Sequence, residues 1–530
     1  MKRIYYYLML LIIVGSITSC KKFLDTKPLS FAAPEANYAT EAQLLQALAG
    51  VYDILGYQRS GLYADNFFSK LGATTDEGFY ARPSGVPLCA TYTFDYTEPI
   101  IDQTWQALYV GIERANNLIY YINTPASMDP VERNAILGEA EFMRGYYYFL
   151  LVSNYGDVPM RLDPTTITGA TTNNVPRVDS KDVYAQILKD MTDAEAKCYP
   201  ATHFGYSSRV SQTTVEGILA RVCLTMAGYP LLDKSKYADA LKWATKVQQS
   251  GIHSLNPSYS QIFINEAQDI YDIKEAMWEA DFNGNDLTTT LETGRLGNTN
   301  GISCSNTDTG YSYGFINATK KLYGLYGDGD LRRDWAIADY GYGGNPFGRV
   351  NKGTLIYDRN CGKWRRSYEL LTPKSKNNTG QNFPILRYAD VLLMLAEADN
   401  QVNNGPSANA YEAFNEVRRR AYGFDVNTPN DLCDLTPGLS VTQFQDSIQD
   451  ERARELCFET QRRPDLIRWG IWTQTMSALA NQISTDLGAN ALKYAAIPAA
   501  NAASSPKFLL YPIPASEMNV NKAATQNPGY

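Results

Sequence analysis

Cys20 is the residue whose surroundings most directly prescribe a reaction. It follows a positive start, Lys2-Arg3, and an uncharged apolar run from Ile4 to Thr18, with the small Ser19 immediately before it. That order describes a secretory signal over 1–19, and the run falls short of the ~20 apolar residues that span a bilayer. A cysteine just past the small residue points to acylation of its thiol, which makes Cys20 the mature N-terminus and 20–30 a lipid tether. Ile17-Thr18-Ser19 is a loose form of the processing motif, so an ordinary signal with an incidental cysteine is the competing reading. Two or three acyl chains, at about 0.8 kcal/mol per buried CH₂, hold a protein stably on a membrane.

Hydrolytic and metal chemistry find few residues to use. His203 and His253 are the only histidines, and neither lies in a metal-ligand spacing such as HExxH. A Ser-His-Asp or Cys-His system would need one of them. His203 falls in a loop-like stretch and His253 follows Gly251 at a helix end, which suits surface or boundary residues. No nucleotide-binding glycine motif is present, and neither a metal nor a cofactor is expected. The paired carboxylates of a glycosidase stay open, because their separation in space decides the mechanism. Seven cysteines remain after Cys20, none spaced as CxxC. Most read as small buried apolar groups, with room for one or two disulfides. The net charge of −8 becomes −10 once Lys2 and Arg3 leave with the signal, which argues against a nucleic-acid partner.

The elements that would position any site are mainly helical. Trp105, Leu108, Ile112, Ala115 and Ile119 form one apolar stripe within 103–123, and Ile136, Ala140, Met143, Tyr147 and Leu151 form another within 131–155. Further helices are expected at 40–55, 181–198, 213–229 and 236–250, and again at 385–403, 408–422 and 441–460. They come in pairs with small residues where they would approach, which resembles tetratricopeptide packing without a clean 34-residue register. Residues 251–383 differ: Gly, Asn, Asp, Tyr and Thr crowd together, with short strand-like pieces at 276–282 and 354–357. So long an irregular, aromatic-rich segment suits ordered functional loops. The fold expected is mainly α, one domain over 31–530, with a helical scaffold (31–250 and 384–530) and a loop-rich insertion. The chain ends in a polar, proline-punctuated tail.

Several local sequences together resemble the SusD/RagB family of outer-membrane nutrient-binding lipoproteins. They begin with Phe23-Leu24-Asp25…Pro28, and continue through Trp105…Asn116-Asn117, Glu139-Ala140…Arg144-Gly145 and Tyr155-Gly156-Asp157-Val158-Pro159. They return at Leu386-Arg387-Tyr388-Ala389-Asp390, at Glu451-Arg452…Glu455…Glu459…Arg462…Asp465…Arg468-Trp469-Gly470, and at Asn527-Pro528-Gly529-Tyr530. The matches span the chain in order. Lys21-Lys22 departs from the family, whose members often carry acidic residues there. The resemblance implies a tetratricopeptide-like scaffold, no catalytic residues, and a surface-facing lid on a SusC-like TonB-dependent transporter. The cargo would be an oligosaccharide or, in some relatives, a peptide. A surface glycoside hydrolase and a protein-binding repeat scaffold are the alternatives from other classes.

The charged matches read as architecture. Glu451, Glu455 and Glu459 recur at i, i+4 and would repel unless arginines intervene. Arg452, Arg454, Arg462, Arg463 and Arg468, with Asp465, are close enough to build an ion-pair network, and Arg144, Arg387 and Asp390 read alike. Ligand contacts are expected instead where aromatic rings, which stack on sugar C–H faces, stand beside Asn, Asp or Arg. Three clusters qualify: Asp76, Tyr80 and Arg82 with Tyr92 and Tyr96; Asp308 with Tyr311 and Tyr313; and Trp335 with Tyr340 and Tyr342. Relatives bind ligand through segments corresponding to the first two. Trp105, Trp278, Trp364 and Trp469 read as core.

Overall fold

Caps and apolar stripes account for where the helices lie. The computed structural model describes residues 34–56, 61–82, 85–165, 173–287 and 292–530; Cys20 and the signal lie outside the described residues. Thr40 starts the Glu41–Tyr52 helix with a reciprocal box, its hydroxyl accepting from the Gln43 N–H while the Gln43 amide oxygen accepts from the Thr40 N–H. Asp129 caps the Pro130–Tyr155 helix, whose proline occupies the first position, where its missing N–H costs nothing. The Pro99–Tyr121, Pro130–Tyr155, Ser180–Glu195, Gln212–Ala227 and Lys236–Gln249 helices each pack on the next in sequence. Close approach depends on small residues: a Cβ added at Gly217 would lie 2.6 Å from Leu386 Cδ2. This is a mainly α, tetratricopeptide-like arrangement.

The scaffold closes through the second half. The Tyr388–Val402 helix, buried along most of its length, packs on Lys236–Gln249 and on the Ala408–Ala421 and Val441–Leu456 helices. One apolar core runs from Leu44 to Ile513. Trp105, Trp278 and Trp364 are within it, and Trp469 packs half-buried against it. Between 251 and 383 the elements are short. Ala276–Ala280 pairs antiparallel with Phe383–Arg387, Gly78–Tyr80 with Ile316–Ala318, and Tyr340–Gly343 with Gly348–Asn351 in a hairpin.

Several expectations need correction. Ile385–Arg387 is strand, and the helix begins only at Tyr388. Residues 354–357 form no strand; a 3₁₀ turn covers Ile356–Asp358. The terminal stretch carries helices at Trp472–Leu487, Ala496–Ser504 and Ala515–Val520. His253 is an interior residue, its ring 2.7 Å from the Thr213 hydroxyl. Cys89, Cys198, Cys223, Cys304, Cys361, Cys433 and Cys457 are buried and unpaired. Among the described residues, no helix is long and apolar enough to cross a membrane.

Buried ion pairs join the scaffold to the loop-rich segment. Glu455 accepts from Arg332 at 3.0 Å, Arg387 at 2.9 Å and Arg420 at 2.6 Å. Glu451 takes Arg332 at 2.7 Å and Arg454 at 2.6 Å; Glu459 takes Arg387 at 2.8 Å and Lys363 at 2.6 Å. Arg452 spans Asp390 and Asp465, and Arg468 spans Asp465 and Glu397. Arg144 pairs with Asp190 at 2.7 Å. Arg463 instead donates to the Phe508 and Leu509 carbonyls. Burial alone would raise the Glu451 carboxyl, but Arg332, Arg454 and Arg418 draw it down to about 2.

Candidate functional site

Two of the expected clusters meet on one face. The Gly78–Tyr80 strand lies beside Ile316–Ala318, and this pairing brings Tyr80 against the loop that carries Tyr311 and Tyr313. The rings follow one another as Tyr311–Tyr313 (centroids 5.1 Å apart), Tyr313–Phe315 (4.9 Å, stacked) and Phe315–Tyr80 (5.2 Å). All four are half-buried, so each keeps part of its surface in water. Arg82 lies 4.5 Å from the Phe315 centroid, and Lys376 lies 4.9 Å from that of Tyr311. The Tyr313 hydroxyl donates to Asn377 Oδ1 at 2.9 Å. Burial raises the Tyr80 hydroxyl to about 12, with Arg82 pulling the other way, so it stays a neutral donor at physiological pH.

The platform loop is held from below. Buried Arg366 donates to the Tyr311 carbonyl at 2.6 Å and to the Asn378 carbonyl at 3.1 Å, while Glu369 fixes its fork at 2.8 Å. Gly310 crosses directly over it, with φ at +117° and its position 2.5 Å from Arg366 Cβ for any added Cβ. Only glycine suits both demands. Phe315, Lys376, Asn377 and Arg366 were not singled out from sequence. The alternation Tyr311, Tyr313, Phe315 was the available signal, one ring every second residue.

Other expected contacts fall elsewhere. Asp76 is buried, its carboxylate taking two bonds from Arg462 at 2.8 Å and one from Lys321 at 2.5 Å. That pairing turns its carboxylate into the fold. Tyr92 is a core residue as well, with its hydroxyl on the Thr74 carbonyl and its ring among Phe94, Trp472 and Phe508. Tyr96 is exposed but belongs to the C-terminal side, where its carbonyl accepts from Ala515. Asp308 is exposed near the platform loop. Tyr340 and Tyr342 lie on the hairpin and Trp335 in the Arg332–Ala336 helix before it; Arg365, 3.7 Å from the Trp335 ring and 6.0 Å from that of Tyr340, joins them, and Arg349 lies 4.3 Å from the Tyr340 ring.

A cavity of about 580 Å³ is lined by Tyr52, Arg209, Glu279, Asp281 and Glu292. Burial raises Glu279 and Glu292 to about 8 and raises Asp281 too. Glu279 is also tied to Ser207 at 2.7 Å, and Asp281 to Tyr271 at 2.7 Å.

Comparison with known proteins bears on the family and the fold. A SusD family profile matches residues 274–530, and a second profile, described as starch-binding associating with outer membrane, matches residues 22–224. SusD-like protein P25 of Formosa agariphila is 25% identical, with 98% of each chain covered. The starch-binding protein SusD of Bacteroides thetaiotaomicron is 22% identical over 100% of this chain and 99% of its own. A crystal structure of a SusD homolog from Bacteroides thetaiotaomicron superposes with a TM-score of 0.82 and 28% identity, covering 94% of this chain and 98% of that one. Matched over both halves and along its full fold, the chain belongs to the SusD family.

Proposed function

We propose that this protein binds a glycan along Tyr80, Phe315, Tyr313 and Tyr311 without cleaving it, and delivers it to a SusC-like TonB-dependent transporter. The observation that carries the reading is the run of four half-exposed rings at 4.9–5.2 Å spacing, edged by Arg82, Lys376 and Asn377. Rings in series suit the repeating C–H faces of an oligosaccharide, and the polar edge suits its hydroxyls. A relative named as starch-binding supports a sugar over a peptide. The loop-rich region 251–383 presents most of the platform, and the helical scaffold, 31–250 and 384–530, supports it. Acylated Cys20 would hold the whole at the outer membrane, facing the exterior.

The transporter half of the proposal is tested by purifying the native lipoprotein in mild detergent. A large β-barrel protein should copurify in about equal amount, and a Cys20→Ser variant should leave the membrane fraction. Recovery of the lipoprotein alone, or steady release of reducing ends from a glycan panel, would count against the reading.

A further inference from the structure

Two guanidinium groups meet at one tyrosine ring on the Tyr340–Gly343/Gly348–Asn351 hairpin. Arg349 lies 4.3 Å and Arg365 6.0 Å from the Tyr340 centroid, and Arg365 also stacks on Trp335. Among the described residues, neither makes an ion pair. The buried arginines of the scaffold network differ. Arg332, Arg387, Arg420, Arg452, Arg462 and Arg468 each hold a carboxylate oxygen at 2.5–2.8 Å.

The donors are only partly used. Half-buried Arg365 gives Nε to the Gly362 carbonyl at 2.8 Å and Nη2 to the Asp334 and Trp335 carbonyls at 3.2 and 3.0 Å, leaving Nη1 unassigned. Arg349 is exposed on the outer strand. Burial and the neighbouring Arg349 charge both disfavour the Arg365 cation. Ring faces offset part of that cost, but an anion between the two forks would offset far more. Lys374 adds a third cation that makes no ion pair among the described residues, bonded to the Thr309 and Arg366 carbonyls.

The hairpin adjoins the ring platform. The Tyr342 N–H donates to the Ser303 carbonyl at 2.9 Å, and the next residue, Cys304, exchanges two backbone bonds with Ser312, which sits between Tyr311 and Tyr313. The platform's own cations, Arg82 and Lys376, likewise lack a carboxylate among the described residues. Unpaired positive charge is therefore gathered on this face of a chain whose net charge is −8.

We infer that the hairpin is a second subsite, in which Arg349 and Arg365 take a negatively charged sugar residue beside Tyr340 and Trp335, and that the bound glycan is acidic. This rests on the glycan reading above. A planar guanidinium fork matches a uronate carboxylate or a sulfate ester equally well, and both charges fit the same site.

The test is calorimetric titration of the mature chain with two matched pairs of oligosaccharides: a uronate with its carboxyl-reduced counterpart, and a sulfated one with its desulfated counterpart. One acidic member should bind about tenfold or more tightly than its neutral partner, and which pair shows it identifies the charge. Arg349→Gln should remove about that factor and flatten the salt dependence, while Arg349→Lys should restore part of it. Arg349 is exposed, so folding should be unaffected. Equal binding of neutral and acidic partners, binding of neither acidic probe, or no effect of Arg349→Gln would overturn the inference. Binding of the neutral sugars that responds to the platform tyrosines would leave the broader glycan reading standing.

Discussion

Asp76 and Glu77 are adjacent in the chain yet have opposite electrostatic fates. Both are buried, which by itself raises a carboxyl. Asp76 faces Arg462 and Lys321 and is held well below the usual carboxylate range. Among the described residues, the Glu77 carboxyl has only the Phe458 N–H at 3.4 Å within hydrogen-bond reach, and burial pushes it to about 8. The unfolded chain releases the Glu77 proton near pH 4.5, whereas the folded chain keeps it until about pH 8. The folded state therefore loses stability as pH rises across that interval, and none below it. Glu77→Gln should match the wild type at pH 4 and exceed it at pH 9 by roughly 1–3 kcal/mol, read from denaturant unfolding at the two values. The same pair shows why the proposed ligand residues were only half legible. Tyr80 and Arg82 share a segment with Asp76, but the arginine that draws Asp76 inward lies 386 residues further on. Nothing local marks which neighbour turns in and which turns out.

At the scale of elements, helices were readable because each carries its own period and cap. Ser440 and Gln443 start the Val441–Leu456 helix reciprocally, and its acidic spacing forecast the arginines that surround it. The strands were less readable. Phe383–Arg387 is buried on both faces and continues into a helix, so its apolar run merges with the helical pattern. The ring platform was invisible as a unit, because Tyr80 joins it only through pairing with Ile316, 236 positions away. The buried network binds these elements to one another. Glu455→Gln would leave Arg332, Arg387 and Arg420 converging on a neutral group with no exposure to water. Breaking so buried a site should cost about 3–5 kcal/mol, seen as a lower midpoint in thermal or denaturant unfolding. A change below about 0.5 kcal/mol would show that the network does not hold the scaffold to the loops.

For the whole molecule, the helical scaffold and its ion pairs fix a loop-rich surface on which rings and unpaired cations are displayed together. The architecture was legible in the sequence because periodicity and motif order run the length of the chain. The proposed acidic ligand was not, since it is argued from arginines that make no ion pair, and only the fold shows which those are. The central claim is that the tyrosine platform carries glycan affinity. Its most direct measurement is calorimetric titration of the wild type and of a Tyr311→Ala/Tyr313→Ala double variant with the best-binding oligosaccharide. Losing two stacking rings should weaken binding by about tenfold to a hundredfold, with the unfolding midpoint unchanged. Equal affinity of the two proteins for the same glycan would contradict the account.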